Sequence, residues 1–212
     1  MLVVGVAAIL ANLLAGPTTQ PPPEIAHVSF TSRVTAYNDA GNVRRAKRVP
    51  AARTRAEEGQ ILQLLNDLYQ RTFVDPSVFE APDTGEGGIP AFPSADVLEH
   101  FAEDARAAVV TDIDAATLGS ERETFQRVDP TATTARISIY FRNGKDASLA
   151  TARVEFAATG TLVDETAFPV SITQEATFHL AREQGRWVIV FYEAEQSQDS
   201  ILPTTSPTEG AS

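Results

Sequence analysis

The sequence predicts an α+β domain over residues 57–196, with N-terminal helices packed on a curved antiparallel sheet of about four to six strands. Three observations predict it. Apolar residues recur at helical spacing as far as about residue 118. After Gly119 the period falls to two. Two dipeptides, Asn143-Gly144 and Gln184-Gly185, stand between alternating stretches, where tight hairpin turns belong.

The elements follow in order. Ala56 to Phe73 carries Ile61, Leu62, Leu64, Leu65, Leu68, Tyr69 and Phe73, one broad apolar stripe, and Asp75-Pro76 stops it. Ser77 to Pro93 is rich in Pro, Gly and acids and reads as a loop. Ser94 is placed to cap a second helix with Val97, Leu98, Phe101 and Ala102 on its inner face, continued by Ala105, Ala108 and Val109. Ala115 to Leu118 supplies a further helical turn ending at Gly119. Thr124 to Val128 is a weak strand. Ala135, Ile137, Ile139 and Phe141 then alternate with polar neighbours, and so do Ala152, Val154, Phe156 and Ala158. The last hairpin pairs Glu175–Arg182 with Trp187–Glu193.

That hairpin is read face by face. A two-residue turn at Gln184-Gly185 sets Leu180 opposite Ile189 and Phe178 opposite Phe191. Ala176, Phe178, Leu180, Trp187, Ile189 and Phe191 then share the core face. Thr177, His179, Val188, Val190 and Tyr192 share the other, which is apolar enough to need a cover of its own and is the candidate interaction face.

The ends divide the chain. Leu2 to Gly16 has no charge and one polar residue, Asn12. At ~1.5 Å per residue it falls short of a ~30 Å hydrocarbon core, and it fits a signal peptide or a membrane anchor over residues 1–16. Residues 17–56 read as a linker, Pro-rich and then basic, within which Ile25 to Tyr37 partly alternates and is a candidate loose strand. Residues 197–212 have the composition of a disordered tail.

Composition excludes several classes. The net charge of −11 argues against nucleic-acid partners. With no cysteine there is no disulfide scaffold, thiolate metal site or cysteine nucleophile. No phosphate-binding glycine loop, dinucleotide fingerprint, G-x-S-x-G or H-E-x-x-H is present, and neither a metal nor a cofactor is expected. Asp75, Glu80, Asp83 and Glu86 lack the spacing of a calcium loop. Asp112 and Asp114 read as a local turn feature.

Helices, then antiparallel strands, then a closing Gly185-x-Trp187-x-Ile189 hairpin resemble the NTF2-like, cystatin-like superfamily over residues 57–196. An apolar N-terminus and a basic linker ahead of such a domain also resemble the Mce-associated membrane proteins of actinobacteria. The resemblance implies a cone of helices and curved sheet around a pocket, in a superfamily that holds isomerases, dehydratases and non-catalytic modules. It makes His100 with Asp104 at i+4 the candidate general-base pair. Tyr69, Phe101, Tyr140 and Trp187 become the candidate ligand-lining residues. The Leu98 and Phe101 stripe, however, turns His100 away from the inner face.

Two functions follow as expectations. The first is a non-catalytic accessory or interaction module of the bacterial cell envelope, tethered or exported through its N-terminus, extracytoplasmic, and partnered by an envelope protein or a second copy of itself. The second is a binder of a small apolar ligand, or an isomerase- or dehydratase-like enzyme using the pocket. The contents of the pocket discriminate between them.

Overall fold

Five strands form one mixed sheet in the order β1-β2-β3-β4-β5, with helices against one of its faces. The structure is a computed structural model that describes residues 25–39, 49–75, 93–142, 145–163 and 168–201. The apolar segment 2–16, most of the basic cluster, the acidic loop after Asp75, the Asn143-Gly144 turn and the tail beyond 201 lie outside the described residues.

The first strand, β1 (Thr31–Asp39), falls inside the range read as a linker and precedes the helices. It pairs in parallel with β2 (Phe125–Arg142), so the sheet is mixed rather than antiparallel throughout. The segment ahead of it is fastened by helix α1 (Ala51–Tyr69). Gln70 Oε1 accepts from the Val28 N–H at 2.9 Å, and Asn66 Oδ1 accepts from the Phe30 N–H at 2.9 Å. Phe30 packs edge-on to Tyr69 with centroids 4.9 Å apart.

Helix α1 begins earlier than its stripe suggested, because Pro50 sits where its fixed φ and missing N–H cost nothing. Glu57, Ile61, Leu65, Leu68 and Tyr69 are its buried face. A π-helical turn, Gln70–Val74, continues it and buries Thr72, Phe73 and Val74.

The expected second helix is broken. Helix α2 (Ala95–Leu98) is a single turn, and helix α3 (Arg106–Ala116) starts after a gap that ends in a 3-10 turn, Glu103–Ala105. In the gap the His100 carbonyl accepts from the Ile189 N–H at 2.8 Å, and the Ala102 N–H donates to the Ile189 carbonyl at 2.9 Å. These two bonds add Phe101 to the sheet as a parallel bridge beside Ile189, and they replace helical bonds that a continuous helix would have used. Ser94 precedes α2 with extended backbone, but its hydroxyl makes no capping bond.

Strands β2, β3 (Asp146–Leu162), β4 (Val170–Glu183) and β5 (Arg186–Ser200) pair antiparallel in sequence. Pro130 is accommodated at a bulge in β2. The β4–β5 turn is the expected pair: Gln184 has φ 50° and Gly185 φ 86°, with Glu183 facing Arg186.

Past the turn the register departs from expectation. Leu180 does face Ile189, but Val190 is an extra residue, so His179 faces Phe191 and Phe178 faces Tyr192. Each of the last two aromatics therefore changes face. Phe191 is 53% exposed, whereas the Tyr192 ring packs against Phe101 and Phe178.

Candidate functional site

The space between the helices and the inner face of the sheet is where a cone-shaped fold would keep a ligand. Here it is filled. Tyr69 and Phe73 stack at 5.3 Å, and Phe156 lies within 5.2 Å of both rings. The residual cavity among Leu68, Tyr69, Thr72, Gln174, Phe178 and Tyr192 is about 10 Å³, at most the room of one water molecule.

Polar side chains in this interior are mostly spent on each other. Gln174, inward on β4 between Ile172 and Ala176, accepts from the Tyr69 hydroxyl and donates to the Ala116 carbonyl. Burial pushes the Tyr69 phenol well above its ordinary range. Burial, helped by the Asp112 carboxylate, pushes Tyr192 up to about 12. The Tyr192 hydroxyl is buried without a hydrogen-bond partner among the described residues.

A surface groove of about 560 Å³ runs between α1, α2 and the β4–β5 turn. It holds Asp67, Arg71, Asp96, His100 and Trp187. His100 does not meet Asp104, because the helix ends at Leu98 and Asp104 stands exposed in the following turn. Its Nε2 lies 2.9 Å from Asp67 Oδ2, and its Nδ1 lies 2.9 Å from the Asp96 carbonyl oxygen. Each ring nitrogen is therefore faced by a protein oxygen. Arg71 closes the network, donating from Nε to Asp67 at 3.2 Å and from Nη1 to Asp96 at 2.9 Å.

Trp187 is held at the rim. Its Nε1–H donates to Glu57 Oε2 at 3.0 Å, and the same oxygen accepts from Arg182, whose guanidinium lies 5.7 Å over the indole. Arg182 also donates to the Gly185 carbonyl at 2.8 Å. The closing hairpin is thus pinned to α1 through one carboxylate.

The four expected lining residues do not converge. Tyr69 and Phe101 are core, Trp187 is tied to Glu57, and Tyr140 lies on the opposite, solvent-facing side of the sheet, stacked on Tyr37 at 5.1 Å. Of the expected interaction face, Thr177 and His179 are half-buried on that same outer side. Val188 is buried, Val190 is the bulge, and Tyr192 points inward. Glu57 and Gln174 escaped the sequence reading, although each left a signal, a polar residue on an otherwise apolar stripe (Glu57, i−4 to Ile61) or alternation (Gln174).

The outer side carries the remaining chemistry. Residues paired across the strands form bands. Tyr37, Tyr140, Leu149, Ala181 and Val188 stand in one row. Arg33, Arg136 and Arg153 stand in a second with Thr177 and Glu193. Thr31, Thr134, Glu155, Glu175 and Glu195 stand in a third. Tyr37, Tyr140 and Leu149 are 46%, 40% and 54% exposed.

By class, then, this is an α+β domain with helices on one face of a five-stranded mixed sheet and a filled interior. No protein-family model matches the chain, and no curated protein matches it in sequence. Among solved structures, a hexachlorocyclohexane dehydrochlorinase (LinA) of type 2 overlaps it with a TM-score of 0.38 at 9% identity, covering 73% of this chain and 99% of that one. At that overlap no activity transfers. No helix among the described residues is long and apolar enough to cross a membrane.

Proposed function

We propose that this chain is a non-catalytic accessory or interaction module of the bacterial cell envelope, with an NTF2-like domain tethered or exported through its apolar N-terminal segment. The observation that carries the non-catalytic reading is the 10 Å³ interior. An apolar ligand needs several hundred cubic ångströms, so binding or isomerising one there would require aromatic side chains to leave the core. The engaged nitrogens of His100 support the same reading for the surface groove. The placement among NTF2-like domains rests on the element order and the Gly185-x-Trp187-x-Ile189 hairpin, and the likeness to the Mce-associated proteins rests on the apolar N-terminus and basic linker ahead of such a domain. The envelope location rests on Leu2 to Gly16.

The test is recovery of the tagged full chain from cell membranes. The expected result is a membrane-associated protein that brings an envelope protein or a second copy with it. A monodisperse monomer confined to the cytosol overturns the proposal.

A further inference from the structure

We infer that a second copy of this chain pairs edge to edge with the first, β1 against β1 in antiparallel register, about a two-fold axis at Thr35. This inference rests on the interaction-module reading and names its partner.

Backbone groups alternate in direction along an extended chain. Ahead of β1, the Val28 and Phe30 N–H groups turn away from β2 to Gln70 and Asn66 of α1. The Ser29 carbonyl turns the other way and accepts from Thr133 of β2. Carried along β1, that alternation directs the N–H and C=O groups of Ser32, Val34 and Ala36 to the free edge of the sheet. Among the described residues those groups meet no hydrogen-bond partner. A row of unpaired backbone groups is a template for another strand, and folded proteins usually guard it. Strand β1 has neither of two common guards. Its register with β2 runs unbroken from Thr31 to Asp39, without a bulge, and it contains no proline. The opposite edge is guarded: Phe101 covers β5 at Ile189, and Glu193, Glu195 and Asp199 stand along the rest.

A second β1 fits this edge in length and in chemistry. The α1 amides close the edge ahead of Thr31, so an added strand finds nine residues to pair with, the length of β1 itself. A two-fold axis at Thr35 sets Val34 against Ala36 twice, each pair exchanging two backbone hydrogen bonds, and Thr35 against Thr35. On the outer side, Arg33 of each copy then faces Tyr37 of the other. Arg33 is exposed and has no ion pair among the described residues. Tyr37 is exposed and already stacked on Tyr140, so each arginine caps an aromatic pair. A register centred on Val34 would bring the two arginines to diagonal positions, whereas centred on Thr35 they stand ~13 Å apart along the seam. Identical strands paired about a two-fold axis close on themselves, so the product is a dimer and not a fibre.

Nine residue pairs at ~3.3 Å make a seam of ~30 Å, a small interface, so the full chain is measured by light scattering in mild detergent at about 100 µM. Wild type is expected to be a dimer. Ala36→Pro removes an N–H that faces the free edge and leaves the β2 ladder intact. It is expected to keep its circular dichroism and to weaken dimerisation at least ~10-fold. A monomeric wild type, or a folded Ala36→Pro variant that dimerises as before, overturns the inference.

A second measurement needs no proline. The chain has no cysteine, so Thr35→Cys carries a single thiol. On the axis, two such residues have Cβ atoms ~4.5–5.5 Å apart, and mild oxidation is expected to join the copies by a disulfide. Thr31→Cys lies on the same strand but ~26 Å along the seam from its counterpart, and Val110→Cys lies on exposed α3; neither should link. Linking at Thr31 or Val110 in place of Thr35, or at none of the three, contradicts the pairing. A wild-type monomer that still retains an envelope protein overturns the dimer and leaves the module reading intact. A dimer that carries a stoichiometric small molecule does the reverse.

Discussion

Glu57 joins three parts of the molecule through one oxygen. Its Oε2 accepts from Arg182 and from the Trp187 indole, and its own carboxylate is largely withdrawn from water. Replacing it by alanine leaves a partly buried guanidinium and an orphan N–H. We expect Glu57→Ala to cost about 2–3 kcal/mol in denaturant unfolding and to red-shift Trp187 fluorescence. A loss under about 0.5 kcal/mol would mean that the hairpin is not pinned there. Arg122 plays a related part. Its buried guanidinium donates to the Val74 and Phe125 carbonyls, joining the end of the π-helical turn to the start of β2. Burial lowers its pKa, and Asp75 partly restores it. Nothing in the aperiodic stretch around Arg122 announced this, because its partners are backbone carbonyls remote in sequence.

Tyr192 supplies a pH prediction of defined sign. A phenol ionises near ~10 in an unfolded chain, and in the fold it stays protonated up to about 12. Between those values the unfolded state holds fewer protons than the native state, so stability is present below pH ~10 and is lost as pH rises toward 12. Tyr192→Phe should flatten that decline, and it should remove a step near pH 12 from an absorbance titration at the phenolate band. A stability profile unchanged by the substitution would contradict the inward placement of the ring.

At the scale of elements, the β4–β5 turn is both the most legible feature and the source of the main misreading. Its positive φ angles suit Asn-Gly, yet Gln184 occupies the first position at φ 50°. Gln184→Asn should therefore raise stability by about 0.5–1 kcal/mol in thermal or denaturant unfolding. A neutral or destabilising effect would argue against that backbone. The turn fixed Leu180 opposite Ile189 from the sequence alone. One residue past Ile189, the bulge at Val190 exchanged the faces of Phe191 and Tyr192. Alternation cannot show a bulge when both faces are apolar, because either register buries plausible side chains. The break between α2 and α3 was hidden for the same kind of reason. Leu98, Phe101 and Ala102 have helical spacing, but two backbone bonds to Ile189, far away in sequence, decide the local conformation. Strand β1 left no local turn signal, because its partner lies about a hundred residues later in the chain.

For the whole molecule, the core positions of α1 and of β2 to β4 were readable from period alone, whereas the contents of the interior were not. Tyr69, Gln174 and Phe156 each look unremarkable in sequence, and only their convergence fills the space where a ligand would sit. That convergence moves the functional weight outward, to the molecular surface, where the outer sheet face carries arginines on β1 to β3 and glutamates on β3 to β5. The central claim is that this protein acts by contact between folded surfaces and not by enclosing a small molecule. Native mass spectrometry of the full chain recovered from cells tests it most directly. The account predicts a chain free of small-molecule mass and associated with a second polypeptide; a lone chain retaining one apolar ligand per copy would contradict it.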